Sequence, residues 1–313
     1  MTIVGADLGG TKLAIAMFSD AGDILERDTV LLNGRSGHDV ATVLLERLQR
    51  MVRESGGGDA PRALGVSVPG IYRSTRGTVW APNIPGWDDF PLRDVLRDAL
   101  HAAVTVAIDS DRAAYISGET WRGAAQGARN AIYLAVGTGI GAGIMVDGNV
   151  LRGASDVAGA IGWLGLQRPY DARWKSCGCF EYQASGPGLV RVARELLTTT
   201  PSYLGELRGL HDRLTTADIF DAANRGDPIS TRVIENAIEL WAMAAANLVS
   251  LFNPEIIVFG GGVFGPATKY LDRIRNEAER WAQPIAIRQV KFVASALGAD
   301  AGLYGAARLA DKQ

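Results

Sequence analysis

Two short glycine-rich turns, each set between two apolar strand-like segments, constrain this chain more than any other feature. The first, Leu8-Gly9-Gly10-Thr11-Lys12, separates Ile3–Asp7 from Leu13–Phe18; the second, Gly137-Thr138-Gly139-Ile140-Gly141, separates Ala131–Val136 from Ala142–Val146. Short apolar runs punctuated by glycine read as β-hairpins. A hairpin rules out the P-loop and the dinucleotide fingerprint, because both of those lead from a strand into a helix.

Glycines at successive positions let consecutive backbone N–H groups face one concavity that no side chain blocks, which suits an anion. The plainer alternative is that Gly9, Gly10, Gly137, Gly139 and Gly141 only satisfy hairpin geometry. Their neighbours weigh against it. Asp7 precedes the first turn, Thr11 and Lys12 close it, and Thr138 lies inside the second. A carboxylate, hydroxyls and an ammonium together suit phosphates and a Mg2+ ion.

Each turn opens one half of a repeated pattern. After the first hairpin comes a strand at Ile24–Leu31, then Val40, Val43, Leu44, Leu48, Met51 and Val52 at helical spacing, broken by Ser55-Gly56-Gly57-Gly58-Asp59. Leu64–Val68 reads as a buried strand, Leu92–Leu100 as a helix, Val104–Ile108 as a strand and Asp111–Trp121 as a helix. The pattern restarts near Asn130. Ile229–Phe252 then carries a long apolar helical stripe that stops at Asn253-Pro254, and a strand at Glu255–Phe259 runs into Gly260-Gly261-Gly262. A chain of 313 residues has room for two domains. The expectation is an α/β protein with an N-terminal lobe over 1–117, a C-terminal lobe over 118–297, and a small-residue helix within 298–313 that returns to the first lobe.

A formal net charge of −2 supplies no basic field for nucleic acid. No apolar run reaches membrane-spanning length, and no basic segment precedes an apolar stretch at the start, so neither a membrane nor export is expected. The two cysteines, Cys177 and Cys179, are one residue apart, which disfavours a disulfide between them and fits a reducing cytoplasmic setting.

Asp7–Lys12 resembles the first phosphate motif of the ROK family of sugar kinases and related repressors. Ser67-Val68-Pro69-Gly70, Pro82-Asn83-Ile84-Pro85-Gly86-Trp87, the second turn and Val258–Gly262 follow in family order. The resemblance implies a two-lobed actin-like, ribonuclease-H-like ATPase fold with a nucleotide cleft between the lobes. It places Asp7, Gly9, Gly10, Thr11, Lys12, Gly137, Thr138 and Gly139 at the phosphates of ATP with Mg2+, and Gly260, Gly261 and Gly262 against the adenosine. Gly70, Asn83, Ser110, Asp111, Trp163 and Glu181 fall on its acceptor side. The first strand begins at Ile3, so no winged helix of the family's repressors is expected ahead of it. A homodimer is expected from the family alone.

In the family, the Asp of an Asn-Asp pair takes the proton from the attacking hydroxyl, and Asp111 matches it, with Ser110 in place of the Asn. Phosphoryl transfer to an alcohol needs such a carboxylate beside an acceptor held in line. Alternatively, Asp109 or Asp111 caps the following helix, a duty that Asp111 could combine with catalysis.

The family's Glu-x-Gly-His element reads Ala160-Ile161-Gly162-Trp163 here, and its three-cysteine zinc loop keeps only Cys177 and Cys179. Tetrahedral zinc needs four ligands, while His38, His101 and His211 are remote in sequence, so the pattern argues against a structural zinc. Trp163 either stacks its flat face on a sugar ring or fills core space. Loss of a carboxylate and an imidazole beside the acceptor weakens selection for the hydroxyls they would meet. The sequence therefore points to ATP-dependent phosphorylation of a modified sugar or cyclitol, most simply at a primary hydroxyl. The rival readings are an ordinary hexose kinase with a repacked pocket and a sensor that binds nucleotide or sugar without catalysis.

Overall fold

The computed structural model describes residues 2–54, 61–100 and 104–312. The glycine-rich break at Ser55–Asp59 and His101 lie outside the described residues. In chain order the elements are β1 (Ile3–Leu8), β2 (Lys12–Phe18), β3 (Ile24–Leu31), α1 (Gly37–Glu54), β4 (Ala63–Val68), β5 (Ile71–Arg73), β6 (Thr78–Trp80), α2 (Leu92–Ala99), β7 (Thr105–Ser110) and α3 (Asp111–Arg122). There follow β8 (Ala131–Val136), β9 (Ile140–Val146), β10 (Asn149–Val150), α4 (Cys179–Ala184), α5 (Gly186–Thr199), α6 (Thr216–Asn224) and α7 (Pro228–Phe252). Last come β11 (Ile256–Gly260), α8 (Leu271–Ala278), α9 (Pro284–Gln289), β12 (Lys291–Ala294) and α10 (Ala301–Asp311).

The chain forms two compact units. The first joins Met1–Ala128, Gly143–Ala158 and Ala296–Gln313; the second joins Arg129–Ala142 and Gly159–Ser295. Helix α3 runs without a break through residue 117.

In the first unit the sheet order is β3-β2-β1-β4-β7, with β1, β2 and β3 antiparallel and β1, β4 and β7 parallel. Period-2 alternation assigns side chains to two faces. Val4, Ala6 and Leu8 join Leu44 and Leu48 of α1 and Leu92 and Leu96 of α2 in one core cluster. Ile3, Ala107 and Ala114 join Leu303, Ala307 and Ala310 of α10 in the other.

Helix α10 approaches so closely that two positions admit only glycine. A Cβ on Gly65 would lie 1.7 Å from the Ala306 carbonyl oxygen, and one on Gly305 would lie 1.7 Å from that of Ala114 in α3. The small residues of α10 thus set how deep the helix sits against β4 and α3.

The second five-stranded sheet has the order β10-β9-β8-β11-β12, with β8, β11 and β12 mutually parallel. The 25-residue α7 is mostly buried in the second unit. Trp241, fully enclosed, donates its indole N–H to the Ala184 carbonyl at 3.1 Å. Asn253, in the left-handed region, ends this helix, and Pro254 follows.

Candidate active site

In the first unit the turn between β1 and β2 is closed by Gly9 N–H donating to the Lys12 carbonyl at 2.9 Å. Thr11 and Lys12 are exposed there. Gly10 fits against Asn83, since a Cβ on it would meet the Asn83 Cβ at 2.8 Å, so the turn packs on the Pro82–Trp87 segment. That segment is pinned by Trp87, which stacks on Phe90 at 4.6 Å between ring centroids and donates to the Gly37 carbonyl at 2.9 Å. Gly70, at φ 134°, faces the Trp80 carbonyl so closely that a Cβ would lie 2.2 Å from it.

Asp7 lies opposite Ser67 in the β1–β4 register and accepts its hydroxyl hydrogen at 2.8 Å. Loss of solvating water raises its pKa above the ordinary aspartate value; the Ser67 bond and the Lys12 charge oppose the rise, and Asp300 adds to it. Gly302 of α10 leaves room for this carboxylate, because a Cβ there would sit 2.5 Å from it.

Strand β7 delivers Asp109 and Ser110 to the start of α3. Ser110 is the N-cap, accepting the Ala113 N–H at 3.4 Å, so the capping duty expected of Asp109 or Asp111 falls to the residue between them. A serine there has the backbone of a strand end while its hydroxyl reaches the third amide of the helix. Asp109 is buried and committed elsewhere: one carboxylate oxygen accepts from Arg152 at 2.6 and 2.8 Å, and the other accepts the Ser110 N–H at 2.8 Å. Asp111 keeps some accessible surface and accepts the Arg112 N–H at 2.7 Å. Surrounding protein strips it of water and pushes its pKa up to about 6; the Arg112 charge and N–H oppose this, and the Asp7 charge reinforces it.

In the second unit the turn at Gly137–Gly139 is closed by Gly137 N–H to the Gly139 carbonyl at 2.9 Å. Strand β9 starts at Ile140, two residues earlier than the sequence pattern placed it, so the turn is the shorter. Gly186 N–H donates to the Gly137 carbonyl at 2.8 Å, and the Thr216 hydroxyl donates to the Gly186 carbonyl at 2.9 Å, which straps the turn to the starts of α5 and α6. Thr138 is exposed at its tip. Gly260 ends β11, where a Cβ would lie 1.9 Å from the Tyr133 hydroxyl. Gly261, at φ 87°, rests on Val136, and Gly262 has open space over its Cα and stands beside Gly137.

Glu181, in the first turn of α4, accepts the Ile140 N–H at 2.7 Å. Desolvation raises its pKa, while the Ile140 N–H and the Arg191 charge lower it. Gly139 and Gly162 flank this carboxylate, each close enough that a Cβ would lie 2.9 Å from a Glu181 side-chain atom. Trp163 follows on a short 3-10 turn and is 58% exposed, which removes the reading of this ring as core filling. Cys179 is buried and Cys177 half-buried, both as free thiols. Among the described residues no three His, Cys, Asp or Glu side chains converge to hold a metal ion.

The first unit therefore brings Asp7, Gly9 to Lys12, Gly70, Asn83, Ser110 and Asp111 into one compact body, and the second gathers Gly137 to Gly139, Trp163, Glu181 and Gly260 to Gly262. Two polar partners escaped the reading of the sequence: the Ser67 hydroxyl on Asp7 and the Arg152 guanidinium on Asp109. Strand register sets the first, and a contact spanning 43 residues of chain sets the second. Neither leaves a local pattern.

Two such sheets with their helices define the two-lobed ATPase fold of the actin and hexokinase type. Residues 3–313 match the model of the ROK family, and the chain belongs to that family. It is 34% identical to a glucokinase of Halalkalibacterium halodurans, over 99% of this chain and 95% of the relative. A ROK hexokinase structure from Thermus thermophilus superposes with a TM-score of 0.83 at 33% identity, covering 100% of this chain and 98% of the other. A ROK family glucokinase from Streptomyces griseus, in complex with glucose and AMPPNP, superposes with a TM-score of 0.77 at 31% identity over the whole of both chains.

Proposed function

We propose that the protein is a sugar kinase that transfers the γ-phosphoryl group of ATP to a hydroxyl of a sugar or sugar-like polyol, with Asp111 as general base. One observation carries the assignment: burial raises the pKa of both carboxylates at the β7–α3 junction, but Asp109 is tied up in an ion pair with Arg152, whereas Asp111 is bonded to no cation among the described residues. A base with a pKa near 6 is mostly ionised at pH 7 yet accepts a proton more readily than a solvated carboxylate. The acceptor O–H gives its proton to Asp111 as its oxygen bonds to the γ-phosphorus, and the bond from that phosphorus to the β,γ-bridging oxygen breaks to leave ADP. Each glycine turn offers backbone N–H groups to phosphate oxygens, Lys12 adds a positive charge, and the exposed Gly261 and Gly262 after β11 present side-chain-free backbone to the adenosine. Asp7 is the carboxylate in reach to hold Mg2+, which when bound to ATP offsets charge on the phosphates.

The acceptor is a modified sugar or cyclitol in preference to glucose. Ala160 and Trp163 stand where the family's Glu and His meet ring hydroxyls, so Glu181 is left as the charged hydroxyl partner of that pair of elements and Trp163 offers an exposed face to C–H groups of a ring. The likeness to glucokinases supports the rival reading, hexose phosphorylation through a rebuilt pocket.

ADP release from ATP over a panel of hexoses, amino sugars and cyclitols tests both. The expected best acceptor is not glucose; glucose exceeding every other compound in kcat/KM rejects the preference. On the best acceptor, Asp111→Asn is expected to lower kcat by roughly a thousandfold or more with nucleotide binding intact, and undiminished turnover rejects the base. Trp163→Ala is expected to raise KM for the acceptor about tenfold while KM for ATP stays constant.

A further inference from the structure

At the open edge of the first sheet, a cavity of about 430 Å3 is lined by three guanidinium groups and, among the described residues, by no carboxylate. Strand β7 borders it through Ile108, α2 contributes Arg93 and Arg97, the segment after β10 contributes Arg152, and Tyr72 and Ser74 complete the wall. All of these residues belong to the first unit. Arg93 is paired with Asp94 and Arg152 with Asp109, while Arg97 brings a further positive charge to the same space, which an entering anion would offset.

Their existing partners leave donors over. Arg93 donates to the Ser74 and Arg76 carbonyls at 3.2 Å each, while its buried Nε has no hydrogen-bond partner and stands 3.6 Å from Asp94. Arg152 pairs with Asp109 and keeps nearly half of its side chain exposed. Arg97 is exposed, has no ion-pair partner among the described residues, and lies with Arg93 in electrostatic reach of the Tyr72 phenol. Asp156, the other carboxylate nearby, is occupied by the Ser74 N–H and hydroxyl at 3.0 to 3.1 Å.

We infer that this cavity is a binding site for a phosphate-class dianion, held chiefly by Arg97 and Arg93 with Tyr72 as a neutral donor. Guanidinium forks match the paired oxygens of phosphate, and Arg97 brings a charge that has no ion-pair partner among the described residues. The volume falls in the range of small-molecule sites, roughly 300 to 1,000 Å3, so there is room for a phosphate carrying an organic group as well as for free phosphate. Such an anion lies on the Arg152 side of Asp109, two residues along the chain from Asp111, and no residue of either glycine turn lines the cavity.

Isothermal titration of the full chain with inorganic phosphate, at constant ionic strength and with saturating AMPPNP present, tests this. The AMPPNP occupies nucleotide phosphate positions, so remaining phosphate binding belongs elsewhere. Saturable binding is expected, weakened at least tenfold in Arg97→Gln and partly kept in Arg97→Lys, with basal kinase turnover unchanged in both. Glucose 6-phosphate in place of phosphate separates the sources: tighter binding than phosphate assigns the site to phosphate monoesters, and equal or weaker binding assigns it to the free ion. Binding that is equal in Arg97→Gln, or no saturable binding in the wild-type chain, overturns the inference. Because turnover without added phosphate is read separately, a failure here leaves the kinase assignment standing, and a failed kinase assay leaves the anion site testable.

Discussion

Asp109 and Asp111 bear the same functional group two residues apart and differ only in their surroundings. Loss of water raises the pKa of both, but Asp109 is held in an ion pair with Arg152, while Asp111, with no such partner among the described residues, has its pKa pushed up to about 6. The sign of the pH effect follows. Asp111 must be ionised to accept a proton, so kcat/KM should fall about tenfold per unit as pH drops below roughly 6 and be flat above it, until another group intervenes. A profile flat down to pH 4.5 argues against Asp111 as the base. For stability the sign is opposite. A folded-state pKa above the unfolded value means the folded chain holds this proton more tightly, so stability from this group is present in acid and is lost as pH rises through about 6. Replacing the carboxylate with a neutral amide removes that cost. Asp111→Asn should therefore raise the thermal midpoint at pH 8, by an amount equivalent to roughly 2 kcal/mol, and the gain should shrink toward pH 5.

At the level of elements, α10 shows how much a run of small residues can fix. Its glycine and alanine spacing reads from the sequence as a small-residue helix, and the two hairpins, α7 and strand β8 were legible from periodicity and punctuation alone. What escaped notice was what each small residue touches. Gly65 and Gly305 look like ordinary strand and helix glycines until backbone from another element lies 1.7 Å from where a Cβ would be. Propensity and period report a residue's own chain segment, whereas close approach is a property of pairs distant in sequence. Register likewise hid the Asp7–Ser67 bond. Turn glycines beside Asp7, Thr11 and Lys12 suggest phosphate chemistry from local sequence, while Asp111 and Glu181 are singled out through the family resemblance; the partners that tune them leave no such mark. Gly305→Val should destabilise the protein by about 3 kcal/mol or more, seen as a lower urea midpoint with little change in slope, because the clash is with α3 backbone and cannot be relieved by a rotamer change. An unchanged midpoint would mean that α10 does not seat as described.

Taken whole, the molecule pairs a nearly neutral charge balance with locally concentrated charge: Asp7 and Asp111 influence each other within the first unit, and three arginines gather along the sheet edge of the same unit. Fields of this kind act over a Debye length of about 8 Å at physiological salt, so they shape individual sites and leave the global surface without a dominant sign. The two units also differ in how the chain supplies them. The second is drawn from two stretches that lie close together in sequence, and the first needs three, Met1–Ala128, Gly143–Ala158 and Ala296–Gln313. On a ribosome the strands β1, β4 and β7 emerge long before α10, with one apolar face of their sheet still bare. The cluster that Leu303, Ala307 and Ala310 complete therefore cannot close until the C-terminal stretch has been made, so the half that carries Asp111 keeps an apolar surface open for longest during synthesis.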